Sequence, residues 1–134
     1  MTDPRQVTYF SKLDSEECWA LLGETEVGRI AWTGEEGIII VPVNYQLSGR
    51  TVVFHTAPGS PLSKLVDGRE VSFQVDEIDR ESAIGWSVLV HGTAGPAGEG
   101  AVNTSWLEGE KTVGVAVSAT SIGGRVVSGT KKKG

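Results

Sequence analysis

The chain has 134 residues, 39% of them hydrophobic, and a formal net charge of -5, which fits one globular domain that buries roughly two thirds of its unfolded surface. The negative charge, together with the lack of a basic stripe with interleaved aromatic residues, argues against nucleic acid as a partner. The longest apolar run, Ile38 to Val43, is far shorter than the ~20 residues that cross a bilayer, and residues 1–10 are too polar for a signal sequence, so we expect a cytoplasmic protein without membrane contact.

A short first helix is predicted from Leu13 to Gly23. Asp14 is the expected N-cap, and Glu17, three residues later, completes a capping box with it. The apolar residues that follow recur at the spacing of one helical face and are Cys18, Leu21 and Leu22. We therefore expect this helix to pack on the rest of the domain through that face.

After the first helix the apolar pattern becomes typical of a sheet. Six β-rich runs follow, at Gly28 to Thr33, Gly37 to Tyr45, Thr51 to Thr56, Val71 to Asp76, Trp86 to Gly92 and Thr112 to Ala119. Glycine-rich turns separate them, and the eighteen glycines of the chain suit the corners and bulges of a curved sheet. The sequence predicts a mainly β domain with a small antiparallel barrel.

The segments between and after these runs complete the organisation. A second short helix is predicted between the third and fourth strands, at Ser60 to Val66, because its apolar residues share one side. Residues 95–109 are glycine-rich, and we expect a partly ordered connection there. Residues 128–134 are expected to be a flexible tail, so that the single domain spans residues 1–127.

The loop that follows the third strand gathers groups suited to phosphate. His55 and Thr56 end the strand, and a Gly-Ser pair that ends at Ser60 opens the second helix. In one interpretation the hydroxyls of Thr56 and Ser60, loop N–H groups and a cation from His55 or Lys64 hold a dianionic phosphate monoester. The alternative is a plain strand-to-helix connection in which Ser60 only caps the helix.

Two further positions could face a flat ring. Pro42 interrupts the second strand, and because proline cannot donate to a ladder, it indicates an edge, a bulge or a place where the backbone turns toward a ligand. Trp86 begins a strand directly after a glycine. A tryptophan in that position usually packs in the core, and the alternative is that it flanks a heteroaromatic ring.

Hydrolase and metal chemistry have little support in the chain. The two histidines, His55 and His91, are far apart on separate predicted strands, and neither a G-x-S-x-G turn nor a cluster of metal ligands accompanies them. Cys18 is the one cysteine, so it has no partner for an internal disulfide. We expect no metal site, and we assign no catalytic residue.

Five motifs carry a resemblance to a known family. They are LDSEECWALLGETEVGRIAW, VPVNY, VFHTAPGS, VSFQVDEID and GWSVLVHG, and they extend from Leu13 to about Ala94. In this order and spacing they resemble the pyridoxamine 5'-phosphate oxidase-like FMN-binding split-barrel family, particularly its short actinobacterial-type members. The resemblance implies a six-stranded antiparallel Greek-key split β-barrel and a homodimer with two FMN molecules between its subunits. It also implies an oxidoreductase that passes a hydride through flavin N5 to or from an unidentified small substrate.

The resemblance also implies where FMN would lie. The edge of the isoalloxazine ring would run along Val41, Pro42, Val43 and Asn44. The family's phosphate-contacting positions correspond to His55, Thr56 and Ser60. Ring contacts from the neighbouring strand, which the partner subunit can supply, correspond to Trp86 and Ser87.

The chain departs from the family at the phosphate site. The family usually places Arg or Lys at the strand end or directly after the Gly-Ser pair, and this chain has His55 and Pro61 there. Lys64, one helical turn past Ser60, is the candidate replacement for that charge. Two functions therefore stay open: the flavin-dependent oxidoreductase, and a non-catalytic module that binds deazaflavin F420 or haem or has lost its cofactor. Pyridoxamine-phosphate oxidase activity itself is not expected, because the resemblance does not reach that enzyme's C-terminal substrate contacts.

Overall fold

The computed structural model describes residues 9–98 and 112–129. These residues form seven strands: β1 (Tyr9–Leu13), β2 (Val27–Gly34), β3 (Gly37–Ser48), β4 (Thr51–Thr56), β5 (Glu70–Asp79), β6 (Ile84–Pro96) and β7 (Val113–Ser128). Helix α1 (Ser15–Gly23) follows β1, and a 3-10 helix (Leu62–Asp67) lies between β4 and β5. None of the helices in these residues is long and apolar enough to cross a membrane.

The strands form one antiparallel sheet that closes into a barrel. Their order is β1-β7-β4-β3-β2-β5-β6, and a second pairing of β7 with β6 joins the ends. The long strand β7 closes the ring, since its first part pairs with β4, its last part pairs with β1, and nearly all of it pairs with β6. β3 and β4 pair only where Tyr45–Ser48 meets Thr51–Phe54, so the barrel is split beyond that point.

The six predicted strands are confirmed, but the predicted strand count was wrong. β1 is a seventh strand, and β7 continues through Ser128, past the expected end of the last strand and of the domain. β1 is only five residues long, and its partner is the distant end of β7, from Gly124 to Ser128. Short strands depend on their partners more than on their own propensity, which is why the local pattern did not reveal it. Residues 99–109 of the expected connection and 130–134 of the expected tail lie outside the described residues.

Helix α1 begins at the capping box that the sequence predicted. The Glu17 backbone N–H donates to Asp14 Oδ1 at 2.8 Å, and Glu17 Oε1 accepts from the Asp14 backbone N–H at 3.2 Å. Cys18 and Leu22 are buried, and burial raises the pKa of the Cys18 thiol, as expected for a core cysteine. The Tyr45 hydroxyl donates to the Leu22 carbonyl at 2.6 Å, which attaches the end of α1 to β3.

The predicted second helix is a 3-10 helix that begins later than expected. It runs from Leu62 to Asp67 and buries Leu65. Gly68 closes it in the left-handed conformation with φ of 90°, which glycine adopts without steric cost. The Ser60–Pro61 pair therefore belongs to the loop that precedes the helix.

The core lies inside the barrel, between the inward faces of the strands. Its buried side chains include Ile30, Trp32, Val43, Tyr45, Val52, Phe54, Phe73, Val75, Val88, Val90, Val115 and Val117. Tyr45 packs edge-on against Phe73 with ring centroids 4.8 Å apart. Gly28 makes room for this pair, since a Cβ at that position would lie 2.3 Å from Phe73 Cζ.

Candidate functional site

The split between β3 and β4 separates two of the predicted cofactor segments. Residues Gly37 to Asn44 of β3 pair with β2 on one side, and the β3–β4 pairs begin only at Tyr45. His55 and Thr56 of β4 pair with Gly114 and Val113 of β7 instead. If the β3–β4 register continued, Asn44 would lie opposite His55. The segment predicted to contact the ring, Val41 to Asn44, and the strand end predicted to hold the phosphate, His55 and Thr56, therefore border the same opening.

The loop after β4 is organised by three hydroxyl groups. Thr56 Oγ1 and Ser60 Oγ are 2.7 Å apart and hydrogen-bonded. Ser60 Oγ accepts from the Ser63 backbone N–H at 3.2 Å, and the Ser63 hydroxyl donates to the Ser60 carbonyl at 2.6 Å. Thr56 is 5% exposed, and Ser60 is half-buried. The structure thus brings Thr56 and Ser60 together. The N-cap of the 3-10 helix is Pro61 and not Ser60, although Ser60 Oγ accepts from the Ser63 N–H in its first turn.

His55 carries a buried polar atom without a partner. Its Nδ1 is inaccessible and makes no hydrogen bond with the described residues. The ring lies against Gly114 of β7, where a Cβ would come within 3.2 Å of Nε2. Burial lowers the pKa of His55 below its ordinary value of 6.5, because the charged imidazolium is poorly solvated there. An unpaired buried nitrogen is costly to stability.

Lys64 and Gly59 complete the loop region. Lys64 lies on the 3-10 helix with an exposed side chain, and its backbone N–H donates to the Pro61 carbonyl at 3.3 Å. Gly59 has a φ of 77°, which lets the loop reverse before Ser60 without strain. An exposed lysine one turn beyond Ser60 can approach an anion at the loop through its flexible stem.

The predicted ring-contacting segment lies on a sheet edge, as Pro42 indicated. Pro42 pairs with Arg29 of β2, and the described strands leave its other side without a ladder. Pro42 is exposed, whereas Val43 is buried, and Val41 and Asn44 are half-buried. The backbone on the open side of this segment is thus the part that faces the split.

Trp86 and Ser87 lie elsewhere in the subunit. Both are on β6, which is separated from β3 by β2 and β5 in the sheet order. Trp86 lines a cavity of about 430 Å³ with Ile78, Ile84 and Val126. Gln74 donates through Nε2 to Ser87 Oγ at 3.4 Å. The structure does not bring these two residues to the split within one chain.

The sequence pattern did not predict the surroundings of three polar residues, namely Ser63, Lys12 and Arg125. Ser63 ties the loop to the 3-10 helix, and a second Ser three positions after Ser60 is the signal that could have revealed it. Lys12 and Arg125 become neighbours only because β1 pairs with β7. Neither belongs to a local motif, so sequence pattern alone offered no signal for them.

The order and spacing of these elements match a known family over most of the chain. The family model described as pyridoxamine 5'-phosphate oxidase matches residues 14–120. The chain belongs to the pyridoxamine 5'-phosphate oxidase family. The resemblance seen in the five sequence motifs is thereby confirmed, and the matched range includes α1, the split and the loop from Thr56 to Ser60.

Several known proteins are similar to this chain in fold or in sequence. The FAD binding protein of Mycobacterium smegmatis is 35% identical, with a TM-score of 0.71, and the match covers 88% of this chain and 98% of that one. A FAD-binding protein of Mesorhizobium loti shares the fold with a TM-score of 0.73 at 22% identity, over 91% and 99% of the two chains. The uncharacterized protein Rv0080 of Mycobacterium tuberculosis is 29% identical over 96 residues, which are 68% of this chain and 63% of that protein's length.

Proposed function

We propose that the protein binds a flavin, with its ring along Val41 to Asn44 and a phosphate at the loop from Thr56 to Ser60. The separation of β3 from β4 beyond the Tyr45–Phe54 pair carries the proposal, because it leaves both segments on one opening. Family membership and the 35% identity to a protein that binds FAD support the same ligand class.

At the phosphate end of the proposed site, most of the candidate hydrogen-bond donors are neutral groups and not charged side chains. The hydrogen-bonded pair of Thr56 and Ser60 offers one free hydroxyl proton to an anion, because each hydroxyl has one proton and only one is used between them. His55, at the end of β4, is the second candidate partner, and Lys64 is the nearby cation. Hydrogen bonds to a charged acceptor are roughly twice as strong as those between neutral groups.

FMN is the proposed cofactor, and FAD is the alternative that the similar proteins favour. The two share the ring and the first phosphate, so the split and the loop from Thr56 to Ser60 suit both. They differ in the adenosine phosphate that FAD adds, and a parallel titration with both flavins separates them.

The proposed assembly is a homodimer formed through an apolar outer face. This face comprises exposed side chains on the four neighbouring strands β3, β2, β5 and β6, namely Val27, Ile38, Ile40, Ile78 and Leu89. Ile38 and Ile40 are 74% and 62% exposed. Exposed apolar residues that share one face of a sheet mark interaction surfaces. A second copy is the proposed occupant, because Trp86 and Ser87 pair with Val126 and Arg125 of β7, far along that strand from Gly114, which is the partner of His55 beside the split.

The proposed activity is that of a flavin-dependent oxidoreductase on a small substrate. A bound flavin supplies hydride or electron transfer at N5, and the protein's part is to position the ring and tune its surroundings. The residues around the split can hold and orient the ring and exclude water from its buried edge. No side chain is assigned a catalytic role.

An absorption spectrum of the protein as purified, followed by separate titrations with FMN and FAD, tests the proposal. We expect flavin bands or saturable binding at micromolar concentration with quenching of flavin fluorescence. The variant Thr56→Ala/Ser60→Ala should bind more weakly, while Thr51→Ala, at the other end of β4, should bind as the parent does. A colourless protein that binds neither flavin would overturn the proposal.

A further inference from the structure

A second opening in the sheet lies where β2 and β5 part. Only Arg29 to Ala31 of β2 pair with β5, and their partners are Ser72 to Gln74. β2 continues to Gly34 and β5 begins at Glu70, so the two strands are unpaired beyond Ala31 and Ser72. The cavity at this place, which we call the β2–β5 cavity, has a volume of about 410 Å³. That volume is within the range of small-molecule sites, which is roughly 300–1,000 Å³.

The β2–β5 cavity has an apolar floor and a polar wall. Trp32 and Val71, which form the floor, are 7% and 5% exposed. The polar wall consists of the side chains of Thr33, Glu70, Ser72, His91 and Thr120. Ile38 also lines the cavity and belongs to the proposed dimer face, so the contacts proposed below come from the floor and the wall alone. None of the floor and wall residues takes part in the proposed flavin site.

A bulge and two hydrogen bonds hold His91 in the wall of the β2–β5 cavity. The register of β6 against β7 shifts between His91 and Gly92, and Thr120 is the extra residue on β7. A Cβ at Gly92 would lie 2.2 Å from the Ser118 carbonyl oxygen, so the bulge requires glycine there. Thr120 Oγ1 donates to the His91 carbonyl at 3.1 Å, and His91 Nδ1 is hydrogen-bonded to Ser72 Oγ at 2.9 Å. Bulges of this kind set the direction of a side chain beside a site.

Strand register makes Glu70, Ser72 and His91 neighbours. Glu70 and Ser72 are two positions apart on β5, so they project from the same face. Ser72 lies directly opposite His91 on β6, with Cβ atoms about 5 Å apart in such a pair. The Glu70 carboxylate only accepts hydrogen bonds, and the Ser72–His91 pair uses one of its two protons internally and keeps accepting lone pairs. The wall therefore presents several acceptors in the same part of the cavity.

The formal charge of the β2–β5 cavity is negative. Glu70 is exposed, its carboxylate has no hydrogen bond or ion pair with the described residues, and no Lys or Arg is among the described residues that line the cavity. The nearby cations are engaged elsewhere, since Arg69 Nη2 lies 3.5 Å from Asp67 Oδ2 and Arg29 Nη1 lies 3.8 Å from Asp76 Oδ2. With a net charge of -5 on the whole chain, the local field favours a cation.

We propose that the β2–β5 cavity binds a small molecule that carries a protonated primary amine on a compact apolar body. An ammonium group has three donors and no acceptor, which matches a wall of acceptors with one negative charge. Glu70 and the Ser72–His91 pair hold the ammonium group, Thr120 positions His91, and the apolar body lies against Trp32 and Val71. The site lies within one chain. It does not depend on flavin binding, because β2 and β3 separate it from the split in the sheet order.

Calorimetric titration of the full chain with benzylamine, at low salt, tests the proposal. We expect saturable binding that Glu70→Gln weakens roughly tenfold or more, since a charge-assisted hydrogen bond is lost. His91→Ala should weaken it as well. Ala31→Leu should abolish binding, because Ala31 lines the cavity and a larger apolar side chain fills it without changing any charge. Glu81→Gln, in the turn between β5 and β6, is the matched control and should bind as the parent does.

Two further probes of the same size separate charge recognition from general apolar binding. Benzoate has the opposite charge and should not bind, and neutral benzyl alcohol should bind more weakly than benzylamine. Circular dichroism and thermal melting establish that each variant is folded. Absence of saturable benzylamine binding to the parent would overturn the proposal, and so would benzoate binding of equal strength or parent-like affinity in folded Glu70→Gln.

A titration with benzylamine in saturating FMN tests whether the β2–β5 cavity is a separate site. We expect unchanged affinity for benzylamine. Displacement of benzylamine by FMN would overturn the proposal, because the cavity would then belong to the flavin site. A parent that binds benzylamine but no flavin would remove the flavin proposal and support the cavity proposal.

Discussion

Tyr45 and Phe54 form the last cross-strand pair between β3 and β4, and the two strands separate directly after it. Tyr45 is held from two sides, since its hydroxyl donates to the Leu22 carbonyl and its ring packs edge-on against Phe73. Beyond Phe54, β4 follows β7 instead, where His55 pairs with Gly114. The location of the split thus follows from the anchoring of one tyrosine and from the course of the closing strand.

Removal of the two loop hydroxyls should weaken the binding of a flavin phosphate. For Thr56→Ala with Ser60→Ala, we expect a loss of about 1–3 kcal/mol for each hydrogen bond to the charged group. The single variants should not add up to the double variant, because the two hydroxyls bond to each other. Fluorescence titration with FMN of all four proteins in this cycle measures the effect, and equal affinity in all of them would contradict the phosphate assignment.

The capping box should contribute to the stability of the whole domain. Asp14→Ala removes the acceptor of the Glu17 N–H, and we expect the free energy of unfolding to fall by about 0.5–2 kcal/mol. Urea denaturation measures it. Glu16→Ala is the control, because Glu16 is an exposed acidic residue in the same turn that takes no part in the box. Equal losses in both variants would mean that first-turn charge, and not the cap, is responsible.

Stability should depend on pH through His55. Burial lowers the pKa of His55 from 6.5, so the unfolded chain binds this proton more readily than the folded one. The free energy of unfolding contributed by His55 is therefore fully present above pH 6.5 and is lost as the pH falls through 6.5 toward the folded pKa. Urea denaturation above and below pH 6.5 should show a smaller decrease for His55→Gln than for the parent. An identical pH dependence would contradict the burial of a neutral imidazole.

The close approach of Gly28 to the core should make it intolerant of any side chain. An alanine Cβ would lie 2.3 Å from Phe73 Cζ and 3.0 Å from Val75 Cγ2. We expect Gly28→Ala to lower the free energy of unfolding by about 1–3 kcal/mol through overpacking. Gly95→Ala is the control, since Gly95 is also in a strand but a Cβ there meets nothing within 4 Å. Thermal denaturation of both variants decides the matter, and a parent-like melting temperature for Gly28→Ala would refute the prediction.

The apolar outer face should be needed for the proposed dimer. Ile38→Glu with Ile40→Glu places two charges at well exposed positions of that face, and we expect a monomer because buried unpaired charges are costly. Sedimentation of the parent and the variant at micromolar concentration measures the assembly. Glu81→Lys, in the turn between β5 and β6, is the charge-change control and should remain dimeric. A parent that sediments as a monomer, or a double variant that sediments as a dimer, would contradict the proposed interface.

Several features of the structure could be read from sequence because their causes are local. The capping box at Asp14 and Glu17 and the sheet-like runs of β2 to β6 depend on residues a few positions apart. Pro42 indicated an edge because proline lacks an N–H wherever it stands. The family could be recognised from the sequence for a related reason, since its five motifs are short and occur in a set order.

Other features depended on residues distant in sequence. β1 exists because β7 continues to Ser128 and offers it an edge, and nothing within the five residues of β1 shows this. The separation of Trp86 from the split follows from strand register, since Trp86 pairs with Val126 near the end of β7, whereas His55 beside the split pairs with Gly114 near its start. The unpaired Nδ1 of His55 likewise depends on what packs around the ring, including Gly114.

The sequence by itself therefore determined the helix, six of the strands, the family and the candidate phosphate loop, since local hydrogen-bonding rules and side-chain periodicity produce each of them. Only the tertiary structure decided where the barrel splits and that Glu70, Ser72 and His91 share one cavity. The physical reason is that side-chain alternation specifies which face of a strand is buried, whereas the partner and register of that strand are settled by closure of the whole sheet.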